Sequence, residues 1–179
     1  MARLLMFPAA CLAGFGRWPE PFLFFAHALA MLPGLPGSYL RIGYYSLTLE
    51  GTGRHCRIDF GSFFAHSKAS FGDRVWVGPY CVLGQVDLGE GTLLASAVQI
   101  LSGTKQHRRD PSGRLTHDLA SFRRISVGAH CWVGAGALVM ADLGEGSTVG
   151  AGSVVSRDVP AGITVVGNPA RDAALVSKS

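Results

Sequence analysis

From Phe71 onward the apolar positions of the chain return every six residues. The segments read FGDRVW, VGPYCV, LGQVD (one residue short), LGEGTL, LASAVQ and ILSGTK. After a break they resume as VGAHCW, VGAGAL, VMAD (two short), LGEGST, VGAGSV and VSRDVP. The first position is almost always Val, Leu, Ile or Phe; the second is usually Gly or Ala; the fifth is usually Val, Cys, Thr, Ser or Ala. An amphipathic helix repeats every 3.6 residues and a half-buried strand every two, and neither template describes these segments. Six residues make a short strand and a turn, and three such units close a triangular coil of about eighteen residues. The aliphatic first position points inward and stacks on its equivalents, the small fifth position packs beside it, and glycine admits turn conformations. Successive coils pair as parallel strands. The pattern predicts an all-β fold, a parallel β-helix of about five coils.

One stretch interrupts the period. ILSGTKQHRRDPSGRLTHD, residues 100–118, is polar and basic, and ISVGAH takes the pattern up again behind it. A coil can expel a loop at a corner without disturbing the inward stack, so residues 103–124 read as one long expelled loop. Such a length is unusual beside otherwise minimal turns, and long loops on rigid scaffolds commonly carry function.

Ahead of the repeats, residues 1–54 contain the runs MARLLMFPAAC and PFLFFAHALAML, divided by Arg17, Glu20 and several prolines. Neither reaches the ~20 apolar residues that span a bilayer. No small-residue cleavage site follows a clean apolar run, which argues against a secretory leader. Two readings stay open for this apolar N-terminal extension: a helix packed on the coil, or an interfacial helix touching a membrane surface. Residues 172–179 form a short tail.

Composition narrows the picture. The chain has 179 residues, of which 48% are apolar, 16% are charged and 24 are glycine. That length is enough for one domain with a core, and the glycine content suits many tight turns. A net charge of +4 is too mild to make nucleic acid the expected partner, and fits a polyanionic small ligand equally well. Cys11, Cys56, Cys81 and Cys131 form no CxxC pair, which points to buried reduced thiols and a reducing compartment such as the cytosol.

Over about residues 55–171, the expected β-helix domain, the chain resembles the left-handed β-helix, hexapeptide-repeat acyltransferases. The closing segments ISVGAHCWVGAGALV, VGAGSVVSRDVPAG and VVGNPAR are similar to the end of the sugar O-acetyltransferases, and the run from Gln99 through His107 to Trp132 is similar to acetyltransferases of exopolysaccharide pathways. The resemblance implies left-handed coils, a homotrimer, acetyl-CoA as acyl donor, and a sugar or lipid-linked sugar hydroxyl as acceptor, with direct transfer and no metal. His107 coincides with the family's catalytic position and is the candidate general base: a neutral imidazole removes the proton of an alcohol as the C–O bond forms. The same resemblance puts coenzyme A contacts on Ala135, Ala151, Ser156, Arg157 and Arg171, the last near the nucleotide phosphates.

Other residues compete for attention. His117 is the alternative base if the loop folds differently. His130 falls at a turn position, His66 in FFAHSKAS is a turn residue that can line the same groove, and His27 and His55 join no constellation. Lys105, Arg108, Arg109, Arg114, Arg123 and Arg124 place six of sixteen basic residues in or beside the insert, suited to CoA phosphates, an anionic polysaccharide or the diphosphate of a lipid-linked sugar. The chain departs from the maltose and galactoside acetyltransferases, which carry an asparagine in the coil below the histidine where this chain has PYCVLG. The expected function is sugar O-acetylation in polysaccharide or glycolipid assembly, cytoplasmic and peripheral at most to the inner membrane face. The alternatives are a non-catalytic trimeric scaffold and a zinc carbonic anhydrase-like protein. The latter needs two histidines five apart on one loop, and His107 and His117 are ten apart.

Overall fold

The computed structural model describes residues 1–104, 107–116 and 122–176. A helical cap comes first: α1 (Ala2–Leu12), a 3-10 turn at Gly14–Gly16, α2 (Pro19–Ala30) and α3 (Gly34–Thr48). A three-sided solenoid follows. Its first coil is β1 (Gly51–Thr52), β2 (Arg57–Ile58) and β3 (Phe63–Phe64), and its second is β4 (Ser70–Phe71), β5 (Trp76–Val77) and β6 (Val82–Leu83). The third is β7 (Val86–Leu88), β8 (Leu93–Leu94) and β9 (Gln99–Ile100). The insert then contributes its own hairpin, β10 (Arg108–Arg109) and β11 (Leu115–Thr116). The fourth coil is β12 (Ile125–Val127), β13 (Trp132–Val133) and β14 (Leu138–Val139). Leu143, bridged to Val127 before it and Val159 after it, opens the fifth, with β15 (Thr148–Val149) and β16 (Val154–Val155). Val159 opens a partial sixth with β17 (Thr164–Val166), against which β18 (Arg171–Asp172) runs antiparallel before α4 (Ala173–Val176).

The stack therefore begins at Gly51, upstream of the residues where the period is plain. In that first coil the six-residue spacing is present, but Thr52 and Asp59 stand where aliphatic and small residues stand elsewhere. Side one orders β1-β4-β7-β12, side two β2-β5-β8-β13-β15-β17, and side three β3-β6-β9-β14-β16. The pairing is parallel and in register, so Ile58, Val77, Leu94, Val133, Val149 and Val165 form one inward column, none more than 6% exposed. Each aliphatic side chain so buried contributes about 1.5–3 kcal/mol of hydrophobic stabilisation.

The second-position glycines have a different reason from the one the repeats suggest. A Cβ at Gly89 would stand 2.4 Å from the Ala129 nitrogen, and one at Gly134 would stand 2.5 Å from the Ala151 nitrogen. These glycines let neighbouring coils approach. The left-handed conformation falls two residues later, at Gly91, His130 and Gly136, with φ of 67°, 57° and 67°. Fifth-position residues also have a shared task. The hydroxyls of Ser62 and Thr92 donate to the carbonyls of Gly78 and Gly128 in the next coil, at 2.6 and 2.9 Å. The thiols of Cys56, Cys81 and Cys131 do the same toward Gly72, Ala95 and Gly144, each at 3.1 Å. Burial pushes the Cys81 thiol up to about 11, which keeps it a donor.

The cap closes one end of this core. Tyr45 meets the Phe64 ring edge-on at 5.0 Å and its hydroxyl accepts the Phe64 N–H, while the Tyr44 hydroxyl donates to the Phe22 carbonyl at 3.0 Å. Arg41, fully buried, donates from Nη1 to the carbonyls of Leu29 and Leu32 at 2.8 Å and from Nε to Ile58 at 3.0 Å. One guanidinium thus satisfies the end of α2 and ties it to β2.

Candidate functional site

The insert leaves the solenoid at the corner between sides three and one. Its neck is closed by the Arg123 N–H donating to the Ser102 carbonyl at 2.9 Å, and Ser102 is itself buried with its hydroxyl accepting the Gln85 N–H at 2.9 Å. Part of the expected expelled loop is a short hairpin. β10 pairs with β11 through Arg108 opposite Thr116 and Arg109 opposite Leu115. The Asp110 carboxylate organises its turn, accepting the Ser112 N–H at 2.9 Å, the Ser112 hydroxyl at 2.6 Å and the Arg114 N–H at 3.0 Å. These donors, the Ser112 hydroxyl first, hold the carboxyl below the usual carboxylate range. His107 sits immediately before β10, exposed to solvent.

The basic cluster is reduced by the fold. Arg123 pairs with Asp142 and, at 3.5 Å, with Asp158. Arg124 pairs with Glu50 and Asp87. These two guanidiniums belong to a carboxylate ladder along side one and its corner, and they fasten the returning arm of the insert rather than standing open to an anion. Arg109 donates to the Gly113 carbonyl at 2.6 Å within the hairpin, and Arg114 is exposed. Lys105 and the alternative base His117 lie outside the described residues.

The coenzyme residues divide between two edges of the prism. Ser156 and Arg157 occupy the insert's own edge, two coils further along, about 10 Å by strand spacing. Together with Arg171 they line a groove of about 360 Å³ at the end of the stack, which also holds Asp158 and Asp172. Ala135 and Ala151 lie on the next edge, between sides two and three, both exposed and stacked through the Gly152 N–H to the Ala135 carbonyl at 2.9 Å. A Cβ built on Gly136 or Gly152 there meets nothing within 4 Å, so the backbone is open to an approaching chain. Trp132 stands outward on side two, 54% exposed, in register with Leu93 and Trp76, and the three line a groove of about 250 Å³.

A residue given little weight in the sequence gains it here. His66 lines an open cavity of about 650 Å³ between the cap and the insert's edge, with Arg17, Glu50, Lys68 and Gln85. Phe122, on the insert's returning arm, meets its ring edge-on at 5.3 Å. Burial lowers its pKa and favours the neutral imidazole. The signal was available: FFAHSKAS falls at the same corner as the insert once the period is carried one coil upstream. Among the described residues, no three His, Cys, Asp or Glu side chains converge as metal ligands.

The architecture is a parallel β-solenoid of about six turns with one functional-looking corner insertion. Solved acyltransferases share it. A maltose O-acetyltransferase from Clostridium difficile superposes with a TM-score of 0.58 at 19% identity, covering 86% of this chain and 84% of that one. AntD, an N-acyltransferase from Bacillus cereus solved with dTDP and 3-hydroxybutyryl-CoA, gives 0.54 at 18% identity over 68% and 69%. At these identities the likeness establishes the fold. In sequence, the chain is 43% identical over 69 residues to Nodulation protein L of Rhizobium leguminosarum bv. viciae, which is 37% of this chain and 35% of that protein. It is 39% identical over 90 residues to Nodulation protein L of Rhizobium meliloti, 48% of this chain and 43% of the relative. The chain spans less than half the length of either curated relative. No family model matches it.

Proposed function

We propose that this protein transfers an acetyl group from acetyl-CoA to a sugar hydroxyl, with His107 as the general base. The observation that carries the reading is the corner hairpin: it presents His107 on an edge that two coils later carries Ser156 and Arg157, in a groove that Arg171 lines from the end of side two. In the reaction, the imidazole of His107 takes the acceptor's hydroxyl proton as the oxygen attacks the thioester carbonyl. Backbone N–H groups stabilise the tetrahedral oxyanion. The C–S bond then breaks, and the imidazolium returns its proton to the departing CoA thiolate.

The residues present fit coenzyme A. Arg157 and Arg171 suit its phosphates, and the unobstructed corners at Ala135 and Ala151 suit a pantetheine arm that hydrogen-bonds like a peptide. Because these two groups lie on different edges, one groove uses both only if the edge of one subunit faces the next edge of another. This supports a homotrimer with shared sites. A polysaccharide or glycolipid precursor remains the acceptor class this reading favours.

A second assignment rests on one observation: His66, half-buried and held neutral beneath Phe122, is a candidate base in its own right. Thiol release from acetyl-CoA, measured with a panel of hexose and amino-sugar acceptors, separates the two. His107→Ala abolishes release while CoA still binds by calorimetry, and His66→Ala leaves at least a tenth of the turnover. Retained turnover in His107→Ala overturns the assignment, and absence of CoA binding by the native protein overturns acetyl transfer itself.

A further inference from the structure

Twelve of the eighteen exposed large hydrophobic side chains among the described residues lie between Met1 and Tyr39. They include Leu4 at 80%, Leu12 at 62%, Trp18 at 57% and Phe24 at 67% exposure. The solenoid turns outward a few such residues, mainly the flat, registered row of Trp76, Leu93 and Trp132. The cap is different in shape. On α1 the exposed positions are 3, 4, 5, 7, 8, 11 and 12, which sweep about 200° of the helix at 3.6 residues per turn. Arg3 stands at the margin of that arc and every other position in it is uncharged. A helix apolar on most of its circumference needs cover, and a ridge exposed over half its girth is covered fully by a medium that conforms to it.

We infer that α1, the Gly14–Gly16 turn and the solvent face of α2 form a docking surface for an anionic lipid bilayer, lying in the interface plane. Charge supports lipid over a second copy of the chain. Residues 1–49 hold one acid, Glu20, against Arg3, Arg17 and the buried Arg41; Arg3, Arg17 and Glu20 are exposed, so the two accessible guanidiniums outnumber the carboxylate. Trp18 and Phe15 beside Arg17 make the mixture of ring and cation that settles at a headgroup boundary. No helix among the described residues is long and apolar enough to cross a membrane, so the surface lies on the bilayer rather than spanning it. This inference does not depend on acetyl transfer.

The test is flotation of the full chain with vesicles of phosphatidylcholine alone and with phosphatidylglycerol added. The chain floats with the anionic vesicles, and Arg3→Gln with Arg17→Gln lowers its partition on the order of tenfold. Leu4→Glu, Leu12→Glu and Phe24→Glu together abolish flotation; these side chains are exposed, and circular dichroism verifies the fold. In a Trp76→Phe, Trp132→Phe background, Trp18 emission shifts to the blue on binding. Failure to float, undiminished flotation of the triple variant, or a fall in oligomeric state of that variant by light scattering overturns the inference. The last outcome would assign the face to a second copy.

Discussion

The cap and the solenoid reach stability by opposite routes. In the solenoid every inward residue repeats a neighbour's contact, so Val133 rests on Leu94 as Val149 rests on Val133. Loss of one rung is local, and a twenty-residue excursion between β9 and β12 leaves the columns unbroken. In the cap nothing repeats. A single guanidinium serves three carbonyls, and two tyrosines seal the first coil. Tolerance of insertion follows the same division: the solenoid carries the insert at a corner its columns can spare, while the inner contacts of the cap have no duplicate.

The largest expected effect tests that asymmetry. Arg41→Leu takes the side-chain donor from the buried Ile58 carbonyl and the part-buried Leu32 carbonyl, while Leu29 keeps the Leu32 N–H at 3.2 Å. At ~1–3 kcal/mol for each acceptor left without a donor, destabilisation of about 2–4 kcal/mol is expected. Urea denaturation measures it. A loss below about 1.5 kcal/mol, the size of an ordinary surface-to-intermediate substitution, would show that the cap is as forgiving as the coils.

The next effect separates two kinds of glycine within the solenoid. Gly134→Ala drives a methyl to 2.5 Å from the Ala151 nitrogen and forces coils apart, at about 1–3 kcal/mol. Gly136→Ala enters open space but must hold φ near 67°, at about 1–2 kcal/mol. Combining either with Gly150→Ala distinguishes them. Gly134 and Gly150 share one corner stack and couple, whereas the strain at Gly136 stays additive. Equal and additive losses at both sites would remove the distinction between stacking and turn glycines.

The solenoid was legible because its signal repeats: from Phe71 each unit restates the last. The first coil was legible only through the family resemblance and without its strand β1, since Thr52 and Asp59 dilute the pattern where it has yet to establish itself. The role of the glycines was half legible, because a sequence marks where glycine stands and not whether a Cβ or a φ excludes other residues. Arg123 and Arg124 read as an anion site because their carboxylates are far away in sequence. Asp142 is 19 residues off, Asp87 is 37 and Glu50 is 74, and stacking alone brings them close. His107 is a candidate through the family resemblance and its place in the insert, whereas His66 gains weight from the cap and the insert's arm that pack around it.

The smallest effect concerns the seam between the two regions, where His66 lies. Its folded pKa is depressed by burial, while the unfolded chain titrates near 6.5. Below that pH the unfolded state binds a proton that the folded state resists, so stability falls with acidification through this window and is unaffected above it. His66→Gln keeps a polar side chain without the proton. The difference in melting temperature between native protein and variant is therefore expected to be flat from pH 8 to about 7, and to shrink or change sign toward pH 5 in favour of the variant. Phe122→Ala, by opening the cavity to water, should reduce the same difference, which ties the titration to the packing of the insert's arm on the seam. Parallel curves for native protein and His66→Gln across the whole range would mean that the imidazole is well solvated where the cap meets the coils and that its proton does not report on their packing.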